Sequence, residues 1–374
     1  MPTSRKARVA IAKSGLPGQV VLVLQGGGAL GAYQLGVYRA LHEAGVEPDW
    51  VIGTSIGAIN AALIAGNPAA RRLERLQAFW DAVRQPAAHP SPWGDFGTAR
   101  FAANWVTVLR GIPNFFAPNP LALRGSMAPV GVESAAYYST APLRKTLAAL
   151  VDFDYLDACH TRLTVGAVNV CSGRMRYFDT SREPLDIDHV MASGALPPAF
   201  GAVRIDGQPY WDGGIYSNTP IEAVFDDQPR RNALIFAVNM WHQTGAEPES
   251  IWQVQARQQD IQYASRAESH IQRQKQIHQL RHVIRELQMQ MPAAKRVDPT
   301  VQALAAFGCG TTMHVAHLLA PKLEDEDQTK DIDFSSASLS AREAAGHTDA
   351  RRMLDRAPWA SAEPGAIEGV IEHV

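Results

Sequence analysis

Short solid apolar runs alternate along the chain with longer segments of helical period. Residues 19–24, Gln-Val-Val-Leu-Val-Leu, form the first run, which predicts a strand buried on both faces. The run breaks at Gln25 into glycines, and residues 32–42 then read as a helix. Leu35, Tyr38 and Leu41 share one face of it, and Gly45 is its stop. A second run at 50–52 leads through a tight turn into small apolar residues at 58–65, again strand, turn and helix. The pattern predicts helices over 71–84 and 139–151, a strand at 162–170 with an antiparallel companion at 174–179, a helix over 187–194 and a buried strand at 233–240.

From about residue 249 the composition changes to Gln, Arg and His. Residues 250–291 read as one long helix or two, with Ile251, Val254, Ile261, Ala264, Ile271, Ile277, Leu280, Ile284 and Leu287 recurring mostly at three- and four-residue steps. Such a stripe suits a core-packing face first, and a partner or membrane face as the alternative. A strand at 313–320, an acidic loop at 324–333 and an amphipathic helix at 337–355 follow. There are no internal repeats. This divides the chain into a leader (1–18), a main domain (19–248), a mainly helical extension (249–356) and a tail (357–374) expected to be mobile. Within the domain, residues 85–130 form a proline-rich insertion with Trp93, Phe96, Phe101, Trp105, Phe115 and Phe116, suited to a lid over an acyl site, to an interface-seeking surface or to ordinary packing.

With 374 residues the chain is long enough for a large α/β core with an appendage, and its formal net charge of -2 points away from nucleic acid. Cys159, Cys171 and Cys309 are too widely spaced for a zinc site or a disulfide framework. The basic N-terminus lacks the apolar core of a signal peptide, and no run is long enough to cross a membrane. The expectation is a cytoplasmic protein whose lipid contact is peripheral.

Two glycine-framed turns carry candidate chemistry. Residues 53–57, Gly53-Thr54-Ser55-Ile56-Gly57, match the nucleophile elbow G-x-S-x-G, in which a strained turn lifts a serine hydroxyl to the end of a helix. A serine N-cap in a glycine-rich turn is the plainer alternative. Gly26, Gly28 and Gly31 match G-x-G-x-x-G, which suits a dinucleotide pyrophosphate. That motif needs an acidic residue at the end of the second strand, where this chain has Ser55. The same loop suits an oxyanion hole, with backbone amides cradling a developing negative charge. Neighbouring parallel strands would bring both turns to one sheet edge.

The sequence Asp212-Gly213-Gly214 supplies a carboxylate among Tyr210, Trp211 and Tyr216, although Asp-Gly is also a common plain turn. His89, His160, His189 and His242 keep a Ser–His–Asp triad open, but none sits in a recognisable triad setting.

Four stretches together resemble the patatin-like phospholipase family: Q-G-G-G-A-L-G at 25–31, G-T-S-I-G at 53–57, A-S-G-A-L-P-P-A-F at 192–200 and D-G-G at 212–214. The resemblance spans about 20 to 240. It implies a three-layer α/β/α sandwich with a mostly parallel sheet, and hydrolysis of lipid acyl esters by a Ser–Asp dyad without histidine. Ser55 then looks like the nucleophile and Asp212 its base. Gly27, Gly28 and the amide of Ile56 look like the oxyanion hole, framed by Gly26, Gly31, Gly53, Gly57, Gly213 and Gly214. No metal or cofactor is expected, and the partner is a lipid or other acyl ester. Many members carry Arg or Lys where this chain has Leu30, which weakens the case for phosphate-bearing substrates.

Overall fold

A computed structural model of the chain describes residues 15–86, 110–323, 326, 329–362, 365 and 367–374. Most of the expected leader, the central part of the aromatic insertion with Trp93, Phe96, Phe101 and Trp105, His89, and part of the acidic loop lie outside these residues.

The strands are β1 (Gln19–Leu24), β2 (Trp50–Gly53), the short β3 (Ala117–Pro118) and β4 (Tyr138–Ser139), β5 (Arg162–Asn169), β6 (Met175–Asp179), β7 (Val203–Ile205), β8 (Gln208–Asp212), β9 (Ala233–Asn239), β10 (Met313–Leu319) and β11 (Val370–His373). The longer helices are α1 (Ala32–Glu43), α2 (Ile56–Ala65), α3 (Ala69–Val83), α4 (Ala141–Leu150), α5 (Ile187–Ser193), α6 (Ile251–Gln290) and α7 (Ser336–Arg356).

Nine described strands make one mixed sheet in the order β11-β10-β9-β1-β2-β5-β8-β7, with β6 also on β5. Pairing is parallel from β11 to β5 and antiparallel beyond. The pleat sends Val20, Leu22 and Leu24 of β1 to one face, where they pack with α1, α2, α3 and α7, and Val21 and Val23 to the other. On that second face lie Ile221, Val224, Phe225 and Ile271 of α6. Helices therefore cover both faces of the solid apolar strands, as the unbroken runs require.

One detail of the sheet positions the site. β2 pairs with β5 up to Gly53 opposite Val165. On the other edge of β5, β6 occupies Thr164 to Val168. β8 pairs from Ala167, opposite Asp212, so it must take the edge that β2 has vacated. The strand leading to Ser55 and the strand ending in Asp212 thus abut end to end along β5.

The C-terminal region belongs to the same sheet and layers. β10 lies parallel to β9, and α7 lies along α1, joined by Tyr33–Asp349 (3.0 Å), Arg39–Glu343 (3.2 Å) and His347–Glu43 (3.1 Å). The tail expected to be mobile instead ends in β11, parallel to β10 from Val370 opposite Met313. Only four residues long, it is too short for a periodic signal, and β10 supplies its hydrogen-bond partners.

The stripe expected to pack α6 is also corrected. Ile251, Val254, Ile261, Leu280 and Leu287 are exposed. Among the described residues the buried positions are Asp260, Ala264, Ile271, Gln274, His278 and His282, which keep the helical period but are largely polar. Of the apolar stripe only Ala264 and Ile271 are buried, so counting apolar residues finds the packed face only in the middle of the helix. Among the described residues no helix is long and apolar enough to cross a membrane.

Candidate active site

The turn after β2 is strained at its serine. Ser55 has φ 57° and ψ −127°, a left-handed conformation unusual for a residue with a side chain. The flanking glycines make room for it. A Cβ on Gly53 would lie 2.2 Å from the carbonyl oxygen of Gly57, and one on Gly57 would lie 2.2 Å from that of Leu24. Ser193 holds the turn from α5. Its carbonyl oxygen (3.1 Å) and hydroxyl oxygen (3.2 Å) accept from the Ser55 amide, and its own hydroxyl donates to the Gly166 carbonyl at 2.7 Å. Ser55 then opens α2, whose N-terminus favours negative charge.

Asp212 ends β8 and is 1% exposed. Its Oδ1 accepts from the Gly214 amide at 2.7 Å, whereas its buried Oδ2 has no hydrogen-bond partner of good geometry among the described residues. Burial pushes its pKa up to about 7, against the opposing pull of the Ser55 hydroxyl and the Gly214 amide. The carboxyl is therefore poised to change protonation near neutrality, with the serine as its neighbour.

The glycine loop after β1 is fastened from below. Gln25 donates to Thr219 Oγ1 at 2.7 Å and accepts from the amides of Met240 and of Trp241, the latter at 3.1 Å. The Gly26 carbonyl accepts from Trp241 Nε1 at 2.7 Å and from Asn218 Nδ2 at 3.1 Å. Gln34 and Asn60 extend this buried network to Trp80. Among the described residues no acceptor takes the amides of Gly27, Gly28 or Ile56. Gly31 packs on the Ile56 side chain.

These parts line one cavity of ≈ 180 Å³. It brings together Gly26, Gly27, Gly28, Ser55, Ile56, Asp212 and Gly214, while Gly31, Gly53, Gly57 and Gly213 lie behind its wall. The far wall is aromatic. Phe116 meets Tyr138 at 4.8 Å and Phe200 at 5.4 Å between ring centres, and Phe115 meets Phe334 at 5.6 Å. Phe115 and Phe116 belong to the described end of the aromatic insertion, and Phe200 to the 192–200 stretch. Among the described residues no Lys, Arg or His lines the cavity. His189 is occupied with Asp186, and His242 with the Ala320 carbonyl.

Residues 22–225 match the family model of patatin-like phospholipases. The chain belongs to the patatin-like phospholipase family. That family is one of lipid hydrolases. Residues 261–365 match a second model, described as patatin phospholipase. The human patatin-like phospholipase domain-containing protein 6 is 44% identical over 77 residues, covering 21% of this chain and 5% of that protein. The lysophospholipase nte1 of Aspergillus terreus is 61% identical over 46 residues, 12% of this chain and 3% of that protein. The chain thus matches only a small part of the length of these relatives. Among solved structures, VipD from Legionella pneumophila shares 16% identity, with a TM-score of 0.39 over 95% of this chain and 72% of that one.

Local sequence patterns do not point to several residues of the site, among them Ser193, Trp241, Tyr263 and Asp331. Ser193 sits inside the quoted 192–200 stretch and carries that much signal. The others reach the cavity through long-range contacts that no local pattern announces.

Proposed function

We propose that the protein is a serine acyl hydrolase acting on lipid esters, with Ser55 as nucleophile and Asp212 as its base. The observation that carries this reading is the buried, half-satisfied carboxyl of Asp212 beside the strained Ser55, facing an apolar cavity. An acyl chain lies against Phe115, Phe116, Tyr138 and Phe200, which places the ester carbonyl over the serine. Ser55 Oγ attacks the carbonyl carbon and its proton passes to Asp212. The carbonyl oxygen, now negative, takes the amides of Gly27, Gly28 and Ile56. The C–O bond of the ester breaks, Asp212 returns the proton to the departing alcohol, and the acyl group stays on Ser55. Water, deprotonated by the same carboxylate, then attacks the acyl carbon; the bond to Ser55 Oγ breaks, Asp212 returns the proton to Oγ, and the fatty acid leaves.

A carboxylate is a weak base for serine, and its burial narrows the gap. Contact with lipid is peripheral in this reading. The cavity suits the acyl half of the substrate, so esters and thioesters with other leaving groups fall within the same chemistry.

The test is acylation of Ser55 by a fluorophosphonate probe, located by mass spectrometry. It runs beside hydrolysis of p-nitrophenyl esters of graded length and of phospholipid vesicles. Labelling at Ser55, together with activity lost in both Ser55→Ala and Asp212→Asn, is expected. Full activity in Ser55→Ala would sink the proposal. Activity confined to short soluble esters, with vesicles left intact, would make the enzyme a carboxylesterase.

A further inference from the structure

Most of the cavity is built from residues before 242, but four lining residues come from the C-terminal region. Tyr263 projects from α6, and Asp331, Ile332 and Phe334 lie in the segment that precedes α7. That segment is seated on the glycine loop itself. The Asp331 carbonyl accepts from the Ala29 amide at 2.8 Å. It also fills the space beside Gly28, where φ is +55° and an added Cβ would stand 2.2 Å from the same oxygen. The loop thus reaches its amide-presenting shape against a backbone group more than 300 positions away in sequence.

The fastening is a buried ion pair. Lys330 Nζ meets Asp260 Oδ1 of α6 at 2.7 Å, with side chains only 4% and 6% exposed. Lys330 also stands 4.9 Å from the centre of the Trp241 ring, whose Nε1 holds the Gly26 carbonyl. Desolvating such a pair offsets most of its attraction, so net stability is a weak account of it, whereas it fixes where two elements meet. At the other end, the Phe334 carbonyl accepts from the Gln85 amide at 2.8 Å. The Phe334 ring lies between Phe115 (5.6 Å) and Trp80 (6.3 Å), closing the apolar wall.

We propose that residues 329–335 are a working part of the acyl site. The Lys330–Asp260 pair clamps them on the glycine loop, Asp331 holds the Gly28–Ala29 turn in its oxyanion-binding shape, and Phe334 limits the length of the acyl chain. Lys330 acts through the loop and is a positioning residue, whereas Phe334 touches the acyl chain and selects it. This inference rests on the esterase reading above.

The full-length protein carrying Lys330→Met, Lys330→Arg or Phe334→Ala tests it, assayed on p-nitrophenyl esters from butyrate to palmitate. Lys330→Met is expected to lower kcat on the butyrate ester by about tenfold to a hundredfold, the lower range for a weakened oxyanion site, with KM changed by less than about threefold. Lys330→Arg should recover most of that loss. Phe334→Ala should raise the ratio of long-chain to short-chain kcat/KM by about tenfold. A Lys330→Met protein with native near-ultraviolet dichroism and wild-type kcat overturns the clamp, as does a Lys330→Arg variant equally slow. If Lys330→Met does not fold, Phe334→Ala decides alone, and an unchanged chain-length profile overturns the proposal. Failure of the underlying reading looks different: Ser55→Ala would then hydrolyse these esters as fast as the wild-type protein.

Discussion

Two buried aspartates flank β5 and have opposite fates. Asp179 lies opposite Thr164 on one edge, and Asp212 opposite Ala167 on the other. They are 3% and 1% exposed, so burial alone would raise both pKa values. Asp179 outweighs burial with partners. Arg162 grips it through contacts of 2.7–3.0 Å, while Thr164 and Ser181 hydroxyls donate at 2.7 Å, and the carboxyl stays below its usual range. Asp212 has the Gly214 amide and the neighbouring serine, and is pushed up to about 7. A buried carboxylate with an arginine holds the sheet together, and one without a cation keeps a proton in play.

Swapping roles is the strongest way to break this contrast. Asp212→Asn should lower the hydrolytic rate by about 10⁴- to 10⁶-fold, the upper figure being the scale of losing the base of a serine nucleophile. Asp179→Asn should leave the rate of the folded protein within about threefold, since Arg162 and its partners lie away from the cavity. Stability should show the reverse pattern. Asp179→Asn leaves the half-buried Arg162 with the Asp227 carboxylate but without that of Asp179, and should cost about 3 kcal/mol, read from the urea midpoint.

The sign of the Asp212 effect on stability sharpens the comparison. Its pKa is raised in the folded state, so protonation favours the fold. That benefit is present below about pH 4, is lost as pH rises, and is gone above about 7. Asp212→Asn should therefore be more stable than wild type at pH 8, by on the order of 2–4 kcal/mol, with the gap closing towards pH 4. Asp179, with its pKa lowered, contributes stability at neutral pH that is lost on acidification, so urea melts of Asp179→Asn should be less acid-sensitive. The smallest effect concerns the loop support. Trp241→Phe removes the bond to the Gly26 carbonyl and should cost about 1 kcal/mol in urea unfolding.

Legibility in the sequence followed the range of the interactions. The solid run at 19–24, the elbow and the helix over 187–194 are set by neighbours within a few positions, and the structure has them nearly as read. Only the family resemblance points to the meeting of Ser55 and Asp212, because it depends on β8 replacing β2 along β5. β8 itself has no strand signature: its five residues include Pro209 and carry little alternation. The polar buried face of α6 was hidden for a different reason. Asp260 is buried because Lys330 meets it, and a partner 70 positions away leaves no mark on helical periodicity. For the same reason the region beyond 249 gave no sign that it lines the cavity.

The most direct measurement is the second-order rate at which a fluorophosphonate labels Ser55, followed from pH 5 to pH 9 in wild type and in Asp212→Asn. If Asp212 takes the serine proton, the wild-type rate rises through about pH 7 and levels off, and the variant stays low throughout. A wild-type rate that ignores pH across this range, or an Asp212→Asn protein that labels as fast as wild type, contradicts the account.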